Sequence, residues 1–456
     1  MNELSLYQNA DQLISHGFKS LRKDALSIAA HGIRRVIPYE RAKHIIRLEK
    51  KSFFVDGKEF PLSHGRIFVI GAGKGSFPIA QALDELFGPL IHGGVVVVKE
   101  GEKRQLNHIE VFESSHPLPD ERSLTAANTI LDLLKESKEE DYIFAAITGG
   151  SSSLVNMPAG DISIEDLRLV NELLLASGAD IGKINTLRKH LCLIKGGRFV
   201  QYAQPATVIT LTLDTAPPTM PWPDLCLPDP TTFQDAIDVL HTYDLWDKVP
   251  PSVRNRLNKG KENPDLETIK SFEGMKHHLF YLASPKDACF AAARKATELG
   301  YTPFVLSTTM EGEAKDVGIV HASIANEIVR NDKPVSSPCA LISGGETTVI
   351  LNGKVGIGGP NQETALGFAT KVEPGSPTVM VSIDTDGTDG PGDVAGGVVD
   401  GNTSQHMEER NLDMYAALRD HNAGAVLKAS DDAIYTGHTG TNVMNLRVVL
   451  VDSKRG

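Results

Sequence analysis

The sequence predicts a two-domain α/β fold whose first half carries a parallel sheet covered by helices on both faces. Three observations predict it. Apolar runs of strand length alternate with segments of helical spacing, several of those runs end in glycine-rich loops, and a polar stretch poor in apolar periodicity, residues 251 to 275, interrupts the alternation. A chain of 456 residues accommodates two or three domains. The expected division is 1–255, a polar boundary segment 256–275, and 276–456.

Taken in order, residues from about 8 to 48 show helical spacing at Leu13, Phe18, Leu21, Leu26, Ile28 and Ala29, with a second helix after Pro38. Phe53–Val55 and Phe60 flank Asp56-Gly57, a hairpin signal. Arg66–Ile70 is a strand that runs into Gly71-Ala72-Gly73-Lys74-Gly75-Ser76, and Pro78 suits the first turn of the helix that follows. Val95–Val98 reads as a buried strand, Leu124 to Leu134 as a helix, and Tyr142–Ile147 as a strand before Thr148-Gly149-Gly150-Ser151-Ser152-Ser153. A helix from Ile164 to Leu175 and a strand Thr207–Leu213, ending at Asp214, complete the first half. The second half resumes with Leu279–Leu282, a helix Ala288–Leu299 and a strand Thr302–Leu306. Thr347–Leu351, Asn352-Gly353 and Lys354–Ile357 form the strongest hairpin signal of the chain. An apolar strand Val379–Ile383, a helix near 412–429 and a closing strand Leu446–Val451 follow.

Composition narrows the function. The 46 basic and 58 acidic residues leave a net charge of −12, which argues against non-specific nucleic-acid binding. An acidic protein that uses an anionic substrate must therefore concentrate its cations locally. Cys192, Cys226, Cys289 and Cys339 show no paired spacing for zinc or a redox motif and read as reduced, buried residues. No basic-then-apolar leader and no apolar run of membrane-spanning length is present in the sequence, so cytoplasm is the expected location and no membrane is an expected partner.

Asp384-Thr385-Asp386-Gly387-Thr388-Asp389-Gly390-Pro391-Gly392-Asp393 follows the Val379–Ile383 strand. Its four carboxylates repel one another unless a cation holds them, and magnesium carried by a polyphosphate meets that need with hard oxygen ligands. A solvated acidic turn is the alternative; an EF-hand loop is excluded by Ala395 at the position that needs a glutamate. Gly73, Gly75 and Ser76 around Lys74, between a strand and a helix, make an anion site of backbone amides. That turn is neither a P-loop nor a full dinucleotide fingerprint, since Ser76 stands at the third glycine position, although Glu100 at the end of the next strand mimics a ribose-binding acid. Gly149, Gly150, Ser151 and Ser152 form a second amide- and hydroxyl-rich strand-end loop, and Gly344, Gly345 and Glu346 a third. Three such loops suit a polyphosphate at the carboxyl ends of the strands. Arg188, Lys189, Lys195 and Arg198 supply the local positive charge, or else a solvated helix face. No serine occupies a nucleophile elbow, and the histidines lack zinc spacing.

These stretches together resemble the type II glycerate kinases, whose C-terminal region is called the MOFRL domain. The resemblance rests on His116-Pro117-Leu118-Pro119-Asp120, Thr148–Ser153, Ile184–Leu191, Ile194-Lys195-Gly196-Gly197-Arg198, Gly344–Thr348, Asn361-Gln362-Glu363, Asp384–Asp389 and Thr439-Gly440-Thr441-Asn442. It implies a Rossmann-like N-terminal domain, a C-terminal α/β domain, an active site in the cleft between them, and ATP- and Mg2+-dependent phosphorylation of D-glycerate, usually at the 2-hydroxyl. Lys74 and Asp386 fall on positions regarded as active-site residues in that family. Catalysis is thus expected from Lys74, Asp386 and Asp389, with the two aspartates also as metal ligands. Substrate or nucleotide binding is expected from the three loops together with Arg188, Lys195, Asp214 and Asn361. A small-molecule acceptor and ATP are the expected partners, and a homodimer remains open.

Three departures from the family bear on the acceptor. Pro360 stands where the family has an active-site arginine, residues 215–224 (including Pro217, Met220 and Trp222) replace an acidic turn, and His438 replaces a proline. Losing the arginine removes a bidentate anion donor, so a longer or uncharged acceptor is an alternative to D-glycerate. Two rival readings stay open: an NAD(P)-dependent hydroxypyruvate-type reductase, from the glycine turn and Glu100, and a non-catalytic metabolite-binding relative, from Pro360 and the 215–224 loop.

Overall fold

The structure is a computed structural model that describes residues 2–62, 65–214, 225–351 and 353–453. Two compact units emerge, Pro38–Leu282 and the pair of segments Met1–Ile37 with Ala283–Gly456. In the first, a small antiparallel sheet is built from β1 (Ile46–Leu48), β2 (Ser52–Val55) and β3 (Lys58–Pro61), the last two joined at Asp56 and Gly57, both at positive φ as a tight hairpin turn requires. The main sheet comprises β4 (Ile67–Ala72), β5 (Ile91–Lys99), β6 (Glu110–Ser114), β7 (Tyr142–Ile147), β8 (Thr207–Leu213) and β9 (His277–Ala283) in the spatial order β6-β5-β4-β7-β8-β9. The pairings β4–β5, β4–β7, β5–β6 and β7–β8 are all parallel. This is the doubly wound order of the Rossmann fold, with its reversal between β4 and β7. Every residue of β4 is buried, as a strand covered on both faces requires.

The second unit holds β10 (Thr302–Ser307), β11 (Cys339–Gly345), β12 (Thr378–Asp384), β13 (Gly396–Asp400), β14 (Ala433–Ile434) and β15 (Asn445–Val451), ordered β10-β11-β15-β12-β13-β14. Only β10–β11 is parallel; β15 runs antiparallel between β11 and β12. Its start, Asn445, therefore lies opposite Gly345 on one side and Asp384 on the other, so two predicted loops leave one edge of the sheet together. Alternate β12 residues serve the two faces. Val379, Val381 and Ile383 pack with Leu21, Leu26 and Ile33 of the helix Lys19–Arg34, and Met380 packs with Phe368 of the helix Pro360–Ala369.

The units differ from the expected division in two ways. The first 37 residues belong with the second half, because Arg22 is wholly buried there between Asp400 (2.5 Å) and Asp432 (2.8 Å). Residues 251–275 are no linker: Pro251–Glu262 is a helix whose Val253 and Leu257 join the core of the first unit. The predicted hairpin at 347–357 is absent among the described residues. Thr348 instead bridges Glu313, its N–H donating to the Gly312 carbonyl and its own carbonyl accepting from Ala314, so that backbone is already satisfied. The expected helix near 412–429 is two helices, Met414–Arg419 and Ala423–Ala429. The rewritten 215–224 stretch lies outside the described residues. All four cysteines are buried and none is in a disulfide. Among the described residues no helix is long and apolar enough to cross a membrane.

Candidate functional site

In the parallel-sheet unit, the reversal of strand order places the ends of β4 and β7 side by side, and the loops that follow interlock. Lys74 N donates to the Gly149 carbonyl (2.8 Å), Gly75 N to Thr148 Oγ1 (2.9 Å), and the Ser76 hydroxyl lies 3.1 Å from Thr148 Oγ1. Gly73 has φ 124° and packs so closely on Thr148 that any Cβ would overlap it, which makes glycine obligatory here. Ser76 begins the helix Ser76–Phe87, and Ser151 a short turn of helix after Gly150. Ser151 Oγ is buried and makes no hydrogen bond. A Cβ at Gly150 would meet His116 at 3.3 Å and Lys74 Cγ at 3.7 Å, so His116 joins this cluster, a residue quoted in a motif but not singled out for the site. Asp214 follows the end of the adjacent β8.

The basic cluster divides. Arg188, on the helix Ile181–His190, reaches this loop: Nη1 donates to Ser152 Oγ (3.3 Å) while Nε is fixed by Asn171 Oδ1 (2.6 Å). The other three cations turn inward. Lys189 pairs with Asp229 at 2.5 Å. Lys195 is wholly buried and donates to the Val155 carbonyl (3.1 Å) and Asn156 Oδ1 (2.5 Å). Arg198 Nη1 donates to the carbonyls of Lys189 and Cys192, both at 3.1 Å, capping the end of the helix that carries Arg188. Interior carbonyl and amide oxygens already hold the Lys195 ammonium, so of this cluster Arg188 is the cation that reaches the 149–153 loop.

In the mixed-sheet unit the acidic loop is ordered by its own backbone and by the 439–442 segment. Asp386 is 8% exposed; its Oδ1 accepts from Thr388 N and Oγ1 (both 2.9 Å), and its Oδ2 from Asn442 Nδ2 (3.2 Å). Burial, and then repulsion from Asp386 and Glu346, push the Asp384 carboxyl well above the usual range. Asp389 is placed differently from Asp386. Its oxygens accept from the backbone N–H groups of Asn361 and Gln362 (2.9 Å each) and from their side-chain amides (3.0 Å each). It thus caps the helix Pro360–Ala369 from outside, and Pro360 fits the first helical position, where its missing N–H costs nothing. Asn361 is fully buried, accepts from Ser382 Oγ (2.7 Å), and acts in this knot.

Gly344 and Gly345 end β11. Gly345 has φ 120° and abuts the backbone of Met310, whose N–H donates to the Gly344 carbonyl (2.8 Å). Glu346 is exposed at this edge. Sequence reasoning missed the cation beneath it. Arg447 on β15, opposite Ser343 and Ser382, is wholly buried, and its Nη2 donates to Thr347 Oγ1 (2.8 Å). Desolvation pulls this guanidinium down to about 10 against the opposing pull of Glu346, Asp389 and Asp384. A strand position inside an apolar run gave no signal of it. One buried cation facing several carboxylates leaves negative charge over, and the hard oxygens of Asp386 and Asp384 fit magnesium. Among the described residues no three His, Cys, Asp or Glu side chains converge as a metal cage.

Comparison with known proteins shows the family. Residues 24–258 match the domain of unknown function DUF4147, and residues 339–445 match the MOFRL family. The chain is 39% identical to a glycerate 2-kinase of Pyrococcus horikoshii, covering 96% of this chain and 98% of that one. It is 37% identical to a protein of Agrobacterium vitis provisionally named a hydroxypyruvate reductase, over 85% of this chain and 87% of that one. A crystal structure of the glycerate kinase from Thermotoga maritima superposes with a TM-score of 0.82 at 34% identity, covering 95% of this chain and 100% of that one. With both domain types in order and similarity along nearly its whole length, the chain belongs to the type II glycerate kinase family, the glycerate 2-kinases that carry a MOFRL domain.

Proposed function

We propose that the chain is a glycerate 2-kinase-like phosphotransferase that moves a phosphoryl group from ATP to a hydroxyl of a small sugar acid in the cytoplasm. D-glycerate, giving 2-phosphoglycerate, is the first acceptor to test, and a longer or uncharged one the alternative. The observation that supports it best is the interlocked pair of loops at the strand reversal, where Lys74 and Arg188 flank amides, hydroxyls and the unbonded Ser151 Oγ. Phosphoryl transfer needs positioning and charge neutralisation more than covalent work by the protein, and this cluster offers both. Lys74 neutralises transferring oxygens. Gly73, Gly75, Ser76, Gly149, Gly150 and Ser152 cradle phosphate, and Arg188 draws in the anion. Asp386 accepts the acceptor's hydroxyl proton or holds the metal, Gly344–Glu346 and Asp214 line substrate, and Asp389 keeps the acidic loop in register. Magnesium, when bound by Asp386 beside Asp384, would neutralise polyphosphate charge. ATP consumption with Mg2+ across a panel of sugar acids tests the reading; no turnover with any of them overturns it.

A reductase remains the second reading, supported by the Rossmann strand order and by the Agrobacterium relative's name. Glu100, its ribose-binding candidate, is engaged by Arg122 at 3.1 Å. Fluorescence enhancement of NADH on mixing with the protein would favour it.

A further inference from the structure

A cavity of about 550 Å³ lies in the parallel-sheet unit, away from the strand-end loops. Its wall includes Met275, next to Lys276, whose carbonyl accepts from Val208 N at the start of β8. Asp214 and the phosphate-type loops lie beyond the other end of that strand, about 20 Å away for seven extended residues. Three cations line the cavity: Arg198, Arg256 and Lys270. Arg256 sits over the Phe233 ring (5.3 Å), and its Nε is buried with no hydrogen-bond partner. Burial weakens the charged form of both arginines, and Arg198 weakens that of Arg256 further. Glu267 and Asp265, both on the wall, answer part of this charge, Glu267 being held 2.9 Å from Lys270 and 3.4 Å from the buried His190 Nε2. In a chain of net charge −12, a pocket with two mutually repelling guanidiniums, three cations against two carboxylates, and an unsatisfied Arg256 Nε has room for an anion.

We propose that this cavity binds a small oxyanion, the phosphate or carboxylate group of a metabolite, at a place distinct from the strand-end loops. Such an anion relieves the Arg198–Arg256 repulsion and gives Arg256 an acceptor. It also sits where it can be sensed. His190 ends the helix Ile181–His190 beside Glu267, and two residues earlier Arg188 reaches Ser152. The inference does not depend on the reaction catalysed.

The test titrates inorganic phosphate, and separately succinate, into the full-length Lys74→Ala protein by calorimetry, so that binding around Lys74 is suppressed. One site per chain is expected, and Arg256→Gln added to that background should weaken it about tenfold or more, the scale of one charge-assisted hydrogen bond. Lys270→Gln, at a partly exposed side chain, should weaken it severalfold and serves if Arg256→Gln fails to fold. Binding of phosphate alone or of succinate alone supports the site and names the group it takes. Absence of saturable binding by either anion, or binding that neither variant alters, overturns it.

Discussion

Replacing Asp389 by asparagine should cost stability, whereas the same change at Asp386 should cost turnover. Asp389 accepts four hydrogen bonds from the first turn of the helix Pro360–Ala369, two from backbone and two from side-chain amides, all between 2.9 and 3.0 Å. A hydrogen bond to an ionised acceptor contributes about 1.5–3 kcal/mol, and an asparagine keeps one acceptor oxygen while setting its own NH2 against two donors. Burial raises the Asp389 pKa, so relief of a desolvated charge offsets part of the loss. The net destabilisation is about 2–4 kcal/mol. Asp386 accepts from Thr388 and Asn442 beside a like-charged Asp384, so Asp386→Asn should leave unfolding within about 1 kcal/mol while lowering kcat about 100-fold or more. Urea unfolding followed by circular dichroism, with kcat measured on the folded fraction, separates the two. An Asp389→Asn protein as stable as the parent yet inactive would refute the structural role assigned to Asp389 and return it to the chemistry.

Further outcomes follow from other groups. Lys74→Ala should lower kcat more than it raises the KM for ATP, because charge on the transferred group is best neutralised in the transition state; a raised KM with kcat intact would reduce Lys74 to nucleotide binding. Arg22→Met should destabilise the mixed-sheet unit by about 3–5 kcal/mol, since it strands Asp400 and Asp432 without their buried partner; a change under 1 kcal/mol in urea unfolding would contradict this. Burial pulls His321, whose Nε2 lies 2.9 Å from Ser343 Oγ, from 6.5 down to about 4. The unfolded chain therefore takes up a proton there before the folded one does. Stability present above pH 6.5 is lost as pH falls toward 4, by on the order of 3 kcal/mol, and His321→Asn should flatten that limb of the pH–stability curve. With Pro360 in place of a bidentate donor, kcat/KM should peak at a four- or five-carbon acid or an uncharged analogue; a clear maximum at D-glycerate would sink that preference.

The two central strands β4 and β7 were legible because each is a short apolar run closed by a glycine-rich loop, and those loops carry Lys74 and Gly149–Ser152, whereas the half-polar β6 (Glu110–Ser114) gave no such signal. What local pattern could not show was pairing across hundreds of residues. Arg22 reads as one more charge on an amphipathic helix, yet its partners are Asp400 and Asp432, so the first helices belong with the last strands. Likewise Arg188, Lys195 and Arg198 look alike in sequence, and only packing sends one toward a loop and two into carbonyl cages. The expected 347–357 hairpin is absent among the described residues, where the backbone at Thr348 found partners at 312–314 instead. Arg447, inside an apolar strand, carried no hint that it faces the acidic loop.

The central claim is phosphoryl transfer to a sugar-acid hydroxyl, and one coupled assay tests it directly. Enolase and pyruvate kinase, with no phosphoglycerate mutase, report only a phosphate placed on the 2-hydroxyl. With ATP, Mg2+ and D-glycerate, the protein should form 2-phosphoglycerate, read as pyruvate once the coupling enzymes have used the phosphoenolpyruvate and the ADP, and the Lys74→Ala protein should not form it at a comparable rate. Oxidation of NADH by hydroxypyruvate, with no ATP-dependent product from any sugar acid, would contradict the account.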